Sequence, residues 1–162
     1  MRHSVPRHIS NLFCALSMFL ALIAPLTGCG KKGNPKPPES TAPTSVVGLT
    51  ATGEISAVVL SWEAPETNVN GDQLTDLAGF VVRRSPVVKD TDPEFESVAE
   101  LSLEDVKGEG TPPRFSFKDT GVLPGKRYQY QVLAVNGDGT ASSAGPGVRV
   151  TFKGESSVIE QL

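Results

Sequence analysis

From Val46 to Phe152, apolar and polar residues alternate in short runs cut by clusters of Gly, Pro, Asn and Asp. A period of two marks a half-buried strand, and no stretch of this region carries the 3.6-residue period of a helix. Val47, Leu49 and Ala51 predict a first strand facing a core. Val58, Leu60 and Trp62 predict a second, and Phe80 and Val82 a third. Phe115 and Phe117 belong to a later strand, Tyr128, Tyr130, Val132 and Ala134 to the clearest one, and Val148, Val150 and Phe152 to the last. The stretch 87–113 is irregular, with a short strand expected near Phe95 to Leu101. Many short strands separated by turn residues predict an antiparallel sandwich or barrel.

The pattern before residue 46 is different. Arg2 and Arg7 precede an almost wholly apolar run from Leu12 to Ala24, which Pro25 and Gly28 then break. That run has the length of a signal-peptide core and is short for a spanning helix, which needs about 20 apolar residues. It ends in Leu26-Thr27-Gly28-Cys29, which resembles the lipobox of bacterial lipoproteins. The resemblance implies cleavage between Gly28 and Cys29, a diacylglyceryl group on the Cys29 thiol, and acylation of the new amine. Two or three chains at about 0.8 kcal/mol per buried CH₂ hold a protein on a bilayer where one chain does not. Gly30 rather than Asp after the Cys implies, by the same resemblance, sorting to the outer membrane. Cys29-Gly30-Lys31-Lys32-Gly33 is also similar to a family of short proteobacterial lipoproteins implicated in assembling the lipopolysaccharide translocon, with Asn34-Pro35 where that family has Pro-Leu.

The expected organisation is a signal peptide over 1–28, a lipidated Cys and linker over 29–45, a domain over 46–152 and a tail over 153–162. Residues 30–44 hold Lys31, Lys32, Lys36 and four prolines but no bulky apolar residue, so they predict an extended tether. Its lysines follow the lipid directly, suited equally to anionic headgroups and to solubility.

Within the domain, Val58-x-Leu60-x-Trp62 is followed by Pro65, and Gly79-Phe80-Val81-Val82 comes next. Val122-x-Pro124-x-x-x-Tyr128 then precedes the strand ending Ala134-Val135-Asn136. These residues resemble a fibronectin type III domain. The resemblance implies an all-β, seven-stranded antiparallel immunoglobulin-like sandwich in which the Tyr128 hydroxyl bonds back to the upstream backbone at a corner, with Trp62 as the main core ring.

Removal of the first 28 of 162 residues leaves 13 Lys and Arg against 18 Asp and Glu, a net of −5. An acidic chain argues against binding a phosphate backbone, so no nucleic acid is expected. Cys14, His3 and His8 fall within the signal, so the remaining chain has no His and only Cys29. Without a disulfide the hydrophobic core must hold the domain. No phosphate-cradling loop and no nucleophile–base pair appears, so no enzyme, cofactor or metal site is expected. The 87–113 stretch carries eight acids, and Asp90, Asp92, Glu94 and Glu96 offer oxygen ligands. They lack the loop geometry of a calcium hand and predict a solvated loop.

Two loops share the sequence Val-Asn-Gly-Asp, at 69–72 and 135–138. Asn-Gly suits tight turns with positive φ, and in the resembled fold both loops lie at one end of the sandwich. Asn70, Gly71, Asp72, Asn136, Gly137 and Asp138 are therefore candidate partner-binding residues beside their plain turn role. Alternation also turns Val81, Leu133 and Val135 outward among Gln129, Gln131 and Arg83, a small candidate docking face. The resemblance places the start of the first strand at the Asn-Gly end, and the tail of Val158, Ile159 and Leu162 pointing away from it.

These observations predict a lipid-anchored protein of the cell envelope, at the outer membrane, whose non-catalytic module binds an envelope protein. The alternative is a structural spacer or envelope-assembly accessory with no ligand of its own.

Overall fold

The computed structural model describes residues 41–162. The expected signal segment, the cut between Gly28 and Cys29, the lipid on Cys29 and residues 30–40 of the tether lie outside them.

Among the described residues, eight strands form two antiparallel sheets. They are β1 (Val47–Glu54), β2 (Ala57–Glu63), β3 (Leu77–Pro86), β4 (Glu96–Ser102), β5 (Arg114–Asp119), β6 (Arg127–Asn136), β7 (Val148–Thr151) and β8 (Val158–Gln161). One sheet runs β1-β2-β5 and the other β4-β3-β6-β7-β8. Among the described residues, no helix is long and apolar enough to cross a membrane.

The inward residues read from alternation meet between the sheets. Val58, Leu60 and Trp62 are fully buried, as are Tyr130, Ala134, Val148 and Val150. The Trp62 ring meets Phe80 edge-on at 5.3 Å between centroids, and Phe80 meets Phe115 at 4.8 Å. Such pairs add about 0.5–1.5 kcal/mol beyond their burial. The Tyr128 hydroxyl accepts the Leu123 amide at 3.0 Å, the corner bond expected. The strand expected near 95–101 is β4.

Four expectations are corrected. Val47 is 54% exposed and Val46 is buried in its place. The β1–β2 register shifts between Val47 and Thr50, where Gly48 has φ 61°, so the extra residue flips the alternation at the start of the strand. Leu133 is only 9% exposed although its strand position faces outward, where it pairs across the ladder with Val81.

The third correction concerns the chain's end. Residues 153–162 do not project as a tail, and the sandwich has eight strands where seven were expected. Gly154 turns the chain at φ 62°, the Ser157 hydroxyl donates to the Gly154 carbonyl, and the Lys153 amide donates to the Ser157 hydroxyl. β8 then returns along β7, pairing Val158 with Thr151 and Gln161 with Val148. Ile159 packs against the core, so the apolar residues of this segment complete a sheet edge and the chain runs back toward the Asn-Gly end.

The fourth concerns the domain's start. Thr41 to Ser45 are bound to the domain instead of belonging to a free linker. Ala42 and Pro43 are buried, the Val69 amide donates to Ala42 O at 2.9 Å, and the Thr44 amide donates to Thr67 O at 3.0 Å.

Candidate functional site

The two Val-Asn-Gly-Asp loops do lie at one end of the sandwich. Leu77 at the start of β3 pairs with Asn136 at the end of β6, and the Gly137 amide donates to Asp76 O at 2.7 Å. The incoming chain runs between them. Ala42 takes the Val69 amide of one loop, and Thr41 O accepts the Asn136 side-chain amide of the other at 3.3 Å.

At 69–72 the sequence makes a self-contained exposed turn. The Asn70 side chain accepts the Asp72 amide at 2.9 Å and donates to the Asp72 carboxylate at 2.9 Å. Gly71 sits at φ 85° with open space around it. At 135–138 the same residues do something else. Asn136 is buried, its side-chain oxygen accepts the Thr140 amide at 2.8 Å, and the left-handed residue is Gly139 at φ 79° instead of Gly137. Asn70, Gly71, Asp72, Gly137 and Asp138 are thus exposed at one end, while Asn136 is an interior strut.

A cluster of charged and hydroxyl groups lies at the other end. Continuing inward from Phe80 and Val82 reaches Arg84. Its Nη1 donates to both Asp119 oxygens, at 3.0 and 2.8 Å, and to Gly121 O at 3.0 Å. Asp119 also accepts the Gly121 amide and the Tyr130 hydroxyl, each at 2.8 Å. The Arg84 guanidinium lies 5.4 Å from the Tyr128 ring centroid. Burial, and then the Asp119 charge, push the Tyr130 hydroxyl above its ordinary pKa. Burial alone would lower that of Arg84, but the hydrogen bond and charge of Asp119 outweigh it and raise the value. This charge cluster ties β3, β5 and β6 to the corner.

Asp90, Asp92, Glu94 and Glu96 are spread along the exposed β3–β4 connection and the start of β4. Among the described residues, no group of three or more His, Cys, Asp or Glu side chains is arranged to hold a metal ion.

No protein-family model matches the chain, and no curated protein matches it. Solved structures do. The twitchin kinase region of C. elegans superposes with a TM-score of 0.52 at 15% identity, over 69% of this chain and 17% of that one. Astrotactin-2, a vertebrate-specific membrane protein, gives 0.50 at 19% identity over 70% of this chain and 22% of that one. A fibronectin-III-like protein from Clostridium thermocellum gives 0.45 at 21% identity, over 65% and 88% of the two chains. This chain spans less than a quarter of the first two, and the likeness is one of fold. The described domain is an all-β sandwich of two antiparallel sheets, of the fibronectin type III kind.

Proposed function

We propose that the protein is a lipoprotein of the cell envelope, held on the outer membrane through lipid on Cys29, that presents its fibronectin-type sandwich as a non-catalytic module for binding another envelope protein. The observation that carries the reading is the lipobox-like Leu26-Thr27-Gly28-Cys29 followed, after a Lys- and Pro-rich stretch, by a chain that meets the sandwich at a defined place. Thr41 to Thr44 are gripped at the Asn-Gly end. In this reading the Asn-Gly end faces the bilayer, and the corner built on Tyr128 faces away.

The test is the intact mass of the protein extracted from its own membrane. Loss of residues 1–28 with added acyl mass on Cys29, together with release of a Cys29→Ala form from the mature membrane-bound pool, is expected. A Cys29→Ala form that matures and fractionates like the wild type would overturn the anchor. Mild crosslinking in the same membranes separates the two roles, because a spacer yields no recurrent partner.

A further inference from the structure

The five-stranded sheet ends on one side at β4, whose outer edge pairs with no strand among the described residues. Beside that edge, on the outer face, is a hollow of about 280 Å³. Gly79, Val81 and Val135 give it an apolar lining, and Glu100, Ser102 and Asp105 stand along its β4 side. The Ser102 hydroxyl donates to Asp105 at 2.7 Å. Glu96 and Glu100 have no ion-pair partner among the described residues, unlike the charges on the other edge strands. On β5, Arg114 is bound to Glu63 and Lys118 to Glu54, and across β7–β8 Arg149 is bound to Glu160. No cation lines the hollow. Arg83 faces the same side one row farther along β3, beyond the lining.

We propose that the β4 edge and this hollow form a docking surface for an extended, basic segment of another protein. The segment would add a strand beside β4, with a Lys or Arg on it reaching over β4 to set its charge beside Glu100 and Asp105 at the rim of the hollow. Charge complementarity selects this occupant. The acids that would repel a second copy of β4 attract a cationic strand. The proposal rests on the interaction-module reading but not on the lipid anchor, and its test needs no membrane.

The test uses the full chain and a fluorescein-labelled octapeptide of alternating Arg and Val, with an alternating Glu and Val peptide as its counterpart. The Arg peptide is expected to bind at least tenfold more tightly, to weaken as salt rises, and to slow amide exchange across 96–102. Glu100→Lys, at an exposed position with no ion-pair partner, is expected to cut affinity at least tenfold. Glu155→Lys, the same charge change on the β7–β8 turn, should leave it within twofold. Equal binding of the two peptides, no protection of β4, or affinity indifferent to Glu100→Lys would overturn the proposal. So would protection of β4 without peptide. If it rises with protein concentration it assigns the edge to a second copy, and if it vanishes when Lys31, Lys32 and Lys36 are all changed to Glu it assigns the edge to the chain's own tether.

Discussion

Val69-Asn70-Gly71-Asp72 and Val135-Asn136-Gly137-Asp138 are the same four residues in two different roles. The first loop satisfies itself, with Asn70 and Asp72 closing the turn and Gly71 in the left-handed region. The second loop is tied to its surroundings. Asn136 is the last residue of β6, so its side chain falls inward, holds Thr140 on one side and reaches Thr41 on the other. The turn is therefore displaced two residues onward, to Gly139. A short motif specifies its turn only where the flanking strand leaves the Asn side chain free to bond locally. Where the strand ends on the Asn itself, tertiary contacts decide.

The largest break in this comparison is Asn136→Ala. It removes two part-buried hydrogen bonds, to the Thr140 amide and the Thr41 carbonyl, at about 1–2 kcal/mol each. A loss of about 2–4 kcal/mol in denaturant unfolding is expected, with faster exchange at the Thr44 and Val69 amides as Thr41 to Ser45 loosen. A loss below 0.5 kcal/mol would show that Asn136 is no strut.

Next come the glycines. Gly71→Ala and Gly139→Ala each force a Cβ into the left-handed region, at about 1–2 kcal/mol. Gly137→Ala, at the position that matches Gly71 in sequence, places its Cβ no nearer than 3.5 Å to Asp76 O and has no positive φ, so a change within about 0.5 kcal/mol is expected. Equal losses at 71 and 137 would mean the loops share one geometry after all.

Legibility in the sequence follows the same division. Strands with strict alternation, such as Val58-x-Leu60-x-Trp62 and Tyr128 to Ala134, were readable because burial on one face dictates every second residue. Val47 escaped because Gly48 inserts a residue into the ladder and no period survives a bulge. The return of β8 escaped because four residues with one half-buried Ile carry almost no periodic signal, and only the Gly154 turn brings them onto β7. Arg84 was within reach, since the alternation that buries Phe80 and Val82 continues to it, but a charge reads as surface until its partner is known. Asp119 is that partner, 35 residues away. The placement of both loops at one end was legible through the resemblance. Which of the two Asn residues is buried was not, because the difference lies in where β6 stops and in a segment, Thr41 to Ser45, whose composition reads as linker.

The smallest expected effect is Asn70→Ala, and it makes the comparison sharpest. Its side chain makes two bonds, both to Asp72 and both at the surface. Water replaces an exposed hydrogen bond at little cost, so the loss is about 0.5 kcal/mol, well below that at Asn136. The backbone bonds from Asn68 to Asp72 and from Gly71 to Asn68 remain to hold the turn. Combining Asn70→Ala with Asn136→Ala tests whether the loops act through the chain between them. Val69 and Asn136 hold neighbouring residues, Ala42 and Thr41, whereas the Asn70 side chain bonds to Asp72. The two losses should therefore add within about 0.5 kcal/mol. A coupling above 1 kcal/mol would mean that the exposed turn, too, depends on the incoming chain.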